Sequence, residues 1–243
     1  MATHNTNEIH KMKIALCISG QPRSFEKGFE YHKKNLLDHY DVDVFIHTWN
    51  SNEAKDYLEL YKPKSSLIEN TLEGDFDERY TNTPNMEKHP PRFTVAMFYS
   101  MFKSCELKIK TELQNKKRYD WVIKSRPDYA LNIVIPFKKL DPNKVYIPNC
   151  RMVPEKDFGN DQFAFGSSEI MNKRMTIYMN MNHFYDQGVQ MIGEDMMRAQ
   201  LRMYDLYGDY LEYVNMDNPF PPGEFNGTWH SLIRDDCAEW KKR

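Results

Sequence analysis

Three short segments join a chemically capable side chain to a turn, and each follows an apolar run. The first is Ser19-Gly20-Gln21-Pro22-Arg23. Gly20 permits close backbone approach, the amides of a following helix attract a phosphate, and Arg23 can pair with it bidentately. The segment matches neither a P-loop nor a GxGxxG fingerprint, and an ordinary strand-to-helix turn with a surface Arg is the competing reading. The second is His47-Thr48-Trp49. An indole there can stack on a base or sugar ring and Thr48 can bond a ribose hydroxyl, unless His47 and Trp49 simply fill the core. The third is Arg126-Pro127-Asp128. Pro127 stiffens the turn and leaves Asp128 as a hard oxygen ligand for Mg²⁺ or Mn²⁺ carrying a diphosphate, with Arg126 free to neutralise phosphate directly. An Arg126–Asp128 ion pair closing the turn is the alternative.

These segments need a scaffold that brings them to one edge. Lys13 to Ser19 is a continuous apolar run stopped by Gly20, the pattern of a fully buried parallel strand. Ser24 suits a helix cap, with the helix reaching about His39, and Val42 to Trp49 returns as a second parallel strand through a right-handed crossover. A polar helix from Asn52 to Leu60 leads to a shorter strand at Ser66 to Glu69, and residues 70–92, with Pro84, Pro90 and Pro91, read as a long surface loop or lid. From Thr94 to about Asn115 a helix carries Met97, Met101, Cys105, Ile109 and Leu113 at i+4 spacing, with Lys103, Lys108 and Lys110 on a solvated outer face. Tyr119 to Lys124, Val145 to Pro148 and Gln162 to Gly166 are further strands. A Met-rich helix from Ser168 to about Phe184 reads as adaptable core packing, and Glu194 to Tyr207 as a last helix before an irregular tail from Pro219. The expected class is α/β, a Rossmann-type mixed, mainly parallel sheet flanked by helices, with ligands beyond the carboxyl ends of its strands.

Composition narrows the function classes. With 33 basic and 35 acidic residues, the net charge of -2 gives no overall field for nucleic acid or an anionic membrane surface. Cys17, Cys105, Cys150 and Cys237 form no CxxC pair, so no structural zinc site is expected and reduced thiols fit a cytoplasmic protein. No secretory signal and no membrane-spanning apolar run is visible. Residues 1–12 read as a disordered polar tail, and 13–243 as a single domain with a nucleotide-binding half over 13–130 and an acceptor-side half over 131–243.

The series KIALCISGQPRSFEKGFEYHKKNLLDHYDVDVFIHTWN, YDWVIKSRPDYAL and NDQFAFGSSEIM resembles an uncharacterised glycosyltransferase-like family of viruses and bacteria associated with surface-polysaccharide gene sets, over residues 13 to about 210. The resemblance implies a GT-A-type fold, a nucleotide-sugar donor on the N-terminal strands, a glycan or other hydroxyl acceptor, and a divalent metal held by an Asp-x-Asp motif. This chain departs from that pattern, because Arg126-Pro127-Asp128 offers one carboxylate where two are expected. With a metal, Asp128 is the first ligand and His230 a second; without one, Arg23, Arg126 and Lys124 must stabilise the leaving diphosphate. An acceptor base is expected on the second half. Glu194-Asp195 resembles the acidic pair opening the base-bearing helix of many inverting GT-A enzymes, and Asp161 is the other candidate, for the base or for holding acceptor hydroxyls. The bland readings are dipole-complementing charge and an Asx turn. A sugar nucleotidyltransferase and a non-catalytic glycan-binding module remain as alternative functions.

Overall fold

The buried run Lys13–Ser19 forms β1, the centre of the sheet. The structure is a computed structural model that describes residues 11–84, 86–87, 89–148, 160–206 and the backbone of 211–214. The expectations for His230, for the tail from Pro219 and for most of the N-terminal tail lie outside those residues. The remaining strands are β2 (Asp41–Trp49), β3 (Ser65–Glu69), β4 (Trp121–Ser125), β5 (Val145–Pro148), β6 (Ala164–Gly166) and β7 (Leu211–Val214). Their order is β3-β2-β1-β4-β6-β5-β7. β1 is parallel to both β2 and β4, β2 to β3 and β5 to β7, while β6 runs antiparallel to both its neighbours. This is the mixed, mainly parallel α/β sheet expected. The chain leaves β1 toward β2 on one side and reaches β4 on the other, so a crevice opens beyond the carboxyl ends of β1 and β4, the switch point at which such sheets bind ligands.

Alternation along β1 assigns the two faces. Ile14, Leu16 and Ile18 pack on α1 (Phe25–His32) and α2 (Ala54–Tyr61) through Phe25, Tyr57 and Tyr61. Ala15 and Cys17 face the long helix α4 (Pro91–Asn115), which follows a short α3 (Phe76–Arg79), together with α5 (Ser168–Met175) and α7 (Gly193–Met203). The methionines at 171, 175, 181, 191, 196 and 197 are buried in this second core, as adaptable packing predicts.

Several local expectations change. Ser24 does not cap α1: it takes a left-handed conformation (φ 47°) without a capping hydrogen bond, and α1 continues through a π-helical turn, Lys33–Leu37. The 70–92 segment is not wholly a surface loop, since it contains α3 and the buried Tyr80. The predicted Ser168–Phe184 helix is interrupted after Met175 by a 3₁₀ turn, Ile177–Met179, before α6 (Met181–Asp186). Thr176 contributes to the break, because its hydroxyl donates to the Asn172 carbonyl at 2.9 Å. The α4 stripe is also rotated from its expected face: Leu113 is 72% exposed, and Lys108, read as solvated, is fully buried. Its Nζ donates to Glu112 at 2.9 Å and to Ser168 at 2.7 Å, a network that pins α4 to α5. β7 was not anticipated.

Candidate functional site

The site is built around the end of β4. Ser125, its last residue, is buried on the α1 face, where His32 lies between two hydroxyls: Nε2 is 2.9 Å from Ser125 Oγ and Nδ1 2.8 Å from Tyr61 Oη. Burial lowers the His32 pKa to about 4, so the ring is neutral at physiological pH. Gly28 lets α1 touch the next turn directly, because a methyl group there would fall 1.8 Å from the Pro127 carbonyl oxygen. Arg126-Pro127-Asp128 is therefore held from below by a helix and a buried polar relay.

Within that turn, Arg126 and Asp128 form a two-point ion pair. Arg126 Nε donates to Asp128 Oδ1 and Nη2 to Oδ2, each at 2.8 Å. Burial disfavours the Arg126 charge, and the Asp128 carboxylate more than offsets this, leaving the Arg126 pKa raised. The described residues do not fit a divalent cation at Asp128. Both carboxylate oxygens are occupied by the guanidinium, and no cluster of three His, Cys, Asp or Glu capable of holding a metal occurs among the described residues. Here the ion-pair reading of the motif prevails over the metal-ligand reading, because the planar guanidinium and the carboxylate match in geometry two residues apart.

Beyond β4, the turn before β6 carries Asp161. Lys124, on the α4 face of β4, is fully buried and donates to the carbonyls of Asp161 at 2.5 Å and Gln162 at 2.7 Å. Burial drives its pKa well down, so Lys124 is a buried structural donor rather than a cation facing a diphosphate. Arg174 of α5 is also fully buried and donates through Nη2 to the Asn160 carbonyl, while its Nε and Nη1 have no partner among the described residues. The Asn160 side chain accepts from the amides of Gln162 and Phe163 at 2.9 and 3.0 Å, so the Asx turn read at Asp161 is made by Asn160 instead. That geometry aims Asp161 at the first residue of α7: a methyl group on Gly193 would lie 2.3 Å from Asp161 Oδ2. Glu194 follows at once, and its pKa is raised to about 7, first by burial and then by the Asp161 charge. Asp161 thus lies against the residue that precedes Glu194, and its charge acts on the Glu194 carboxyl, whereas Asp195 pairs with Arg198 at 3.3 Å and lines a different surface.

At the end of β1, Gly20 has φ 120°, a conformation that favours glycine. Thr48 Oγ1 donates to the Gly20 carbonyl at 2.9 Å, so it braces the turn instead of facing a ribose. Ser19 is buried, and Gln21 and Arg23 are exposed beside the turn. His47 and Trp49 do not open onto the crevice. His47 is buried with Nδ1 2.7 Å from Ser100 Oγ and Nε2 3.0 Å from Glu69 Oε2, and Trp49 stacks on Tyr99 at 5.9 Å. Both complete the α4-side packing at the carboxyl edge. A groove of about 680 Å³ runs beside Asp195 between α6 and α7, with Phe184, Val189 and Met203 apolar and Arg198 and Arg202 basic.

A family profile described as a domain of unknown function, DUF7796, matches residues 9–220. The chain belongs to the DUF7796 family. No curated protein matches it. The DUF7796 stretch includes every candidate above from Ser19 to Asp195, and His230 lies beyond it. No helix among the described residues is long and apolar enough to cross a membrane. Sequence reading passed over Arg174, Gly28 and His32. Gly28 and His32 stand four apart in α1 and face one side, a usable signal, but an arginine inside a Met-rich helix announces nothing.

Proposed function

We propose that this DUF7796 chain is a glycosyltransferase that moves a sugar from a nucleotide-diphosphate donor to a hydroxyl of a glycan or other acceptor. The observation that carries the reading is Glu194, a partly buried carboxyl with its pKa near 7, at the N-terminus of a helix and on the same sheet edge as the β1–β4 crevice. A carboxylate so tuned suits general-base catalysis near neutral pH. In this reading the donor lies over Gly20 and Gln21 with Arg23 on its diphosphate, and Arg126, paired to Asp128, supports the turn beneath. The acceptor approaches from the α7 side, over the first turn of the helix that carries Glu194. A cytoplasmic location and a GT-A relationship belong to the same proposal.

The reading is tested by incubating the protein with a panel of nucleotide-sugars and assaying nucleoside diphosphate release, with and without Mn²⁺. Release that Glu194→Gln abolishes supports it; release unchanged in that variant removes Glu194 as the base. Pyrophosphate formed from a nucleoside triphosphate and a sugar phosphate would point to a nucleotidyltransferase instead. The Arg126–Asp128 pair favours a second reading, a glycan-binding module on the same fold, because it withdraws the one carboxylate at the metal position. Calorimetric heat with a glycan, and none with any nucleoside diphosphate, would favour that module.

A further inference from the structure

Two buried basic side chains from different elements grip one three-residue turn. Lys124 of β4 holds the carbonyls of residues 161 and 162, and Arg174 of α5 holds that of Asn160. Burying such donors is costly, and backbone carbonyls satisfy them only in part: among the described residues two Arg174 nitrogens have no partner. Asn160 closes the same turn from within by accepting two backbone amides. All of this restraint falls on a segment whose one outward product is the Asp161 carboxylate, pressed on Gly193 where no side chain fits. We propose that the Asn160–Gln162 turn, gripped by Lys124 and Arg174, holds the Asp161 carboxylate against the N-terminus of α7 so that Asp161 and Glu194 act together as a single base taking up one proton.

The inference rests on the transferase reading and deepens it. Two carboxylates held close repel one another when both are ionised, and one added proton relieves the repulsion, which makes the pair a stronger base than either alone. In the transfer, the proton of the acceptor hydroxyl passes to the pair as its oxygen bonds to the anomeric carbon. The bond from that carbon to the diphosphate breaks, and its electron pair leaves on the diphosphate. Asp195 and Arg198 on α7 flank Glu194 with opposite effects; Arg126, Lys124 and Arg174 act on Asp161, and α4 contributes the apolar Met97. Lys124, Arg174 and Asn160 are positioning residues.

The test is a carbon-13 NMR titration of the Glu194 carboxyl in the full chain without donor, so it stands apart from any turnover assay. The wild type is expected to titrate near 7. Asp161→Asn, which removes the neighbouring charge and leaves the grip on the backbone carbonyls, is expected to weaken proton binding at Glu194 by about tenfold. Asn160→Ala changes no charge but loosens the turn, and is expected to move Glu194 the same way. An ordinary glutamate titration in the wild type, or no change in Asp161→Asn, overturns the pairing. A folded Asn160→Ala protein with an unmoved Glu194 overturns the role of the turn; should that variant not fold, Asp161→Asn decides alone. Failure of transferase activity with the expected titration would instead remove the reaction while leaving the pair.

Discussion

Replacing Asp128 separates two roles for one carboxylate. A metal ligand at the mouth of a crevice can be lost with little effect on folding, whereas the partner of a largely buried guanidinium cannot. Arg126 is 22% exposed and Asp128 2%, so Asp128→Ala leaves a mostly buried cation unpaired. The expected cost is about 3 kcal/mol, somewhat softened by the water that Arg126 retains, and is read from the urea midpoint. An unchanged midpoint would return Asp128 to the pool of available ligands. The same two residue types two apart are equally consistent with either role in sequence, and only their burial and mutual geometry decide between them. Glu194 gives a second test at this scale. Its raised pKa means that the folded state binds the proton more tightly than the unfolded chain, so its contribution to stability is present below about 4.5 and is lost as pH rises through about 7. Glu194→Gln is therefore expected to melt higher than the wild type at pH 8 while turnover falls by roughly 10²- to 10⁴-fold. Loss of both stability and activity would mean that Glu194 is structural.

Elements follow from sequence where burial is continuous and fail to where it depends on a partner. β1, β2 and β4 are legible because each is a short apolar run buried on both faces, and β3 because it ends at the sheet edge with alternating burial. Periodicity along α4 misassigned Lys108 and Leu113, since nothing in the α4 pattern announces that Glu112, Ser168 and Asn172 supply a polar socket for the lysine. For a related reason the sequence leaves His47 and Trp49 open between crevice mouth and core, and only Ser100, Glu69 and Tyr99, which cover the strand end, decide for the core. Gly28 shows where a helix positions the site. Its close approach to the Pro127 carbonyl cannot admit a methyl group, so Gly28→Ala must push α1 or the Arg126–Asp128 turn outward. Helix propensity alone would favour alanine by about 1 kcal/mol, yet overpacking is expected to reverse the sign and destabilise by roughly 1–3 kcal/mol. A thermal melt checks this directly: a rise in Tm would show that the α1–β4 contact yields.

For the whole molecule, acid stability reflects opposing buried groups on the two sides of the sheet. His32, in the α1 core, has its folded pKa depressed from 6.5 to about 4 by burial, and His47 on the α4 side is depressed in the same direction by burial, partly opposed by Glu69. For each, the unfolded state binds more protons in the acidic range, so stability is full above about 6.5 and declines as pH falls. For His32 the loss is complete near pH 4 and amounts to about 3 kcal/mol. Glu194 acts oppositely over much of the same window, because its folded form gains a proton as pH falls from about 7 toward 4.5. The wild type is therefore expected to show a shallow dependence between pH 7 and 5, with compensation between the two halves of the fold hiding both effects. Removing one partner exposes the other: urea unfolding of Glu194→Gln should lose stability on acidification more steeply than the wild type, and His32→Gln less steeply. Parallel slopes in all three proteins would mean that neither buried group is held in the protonation state that the two cores impose on it.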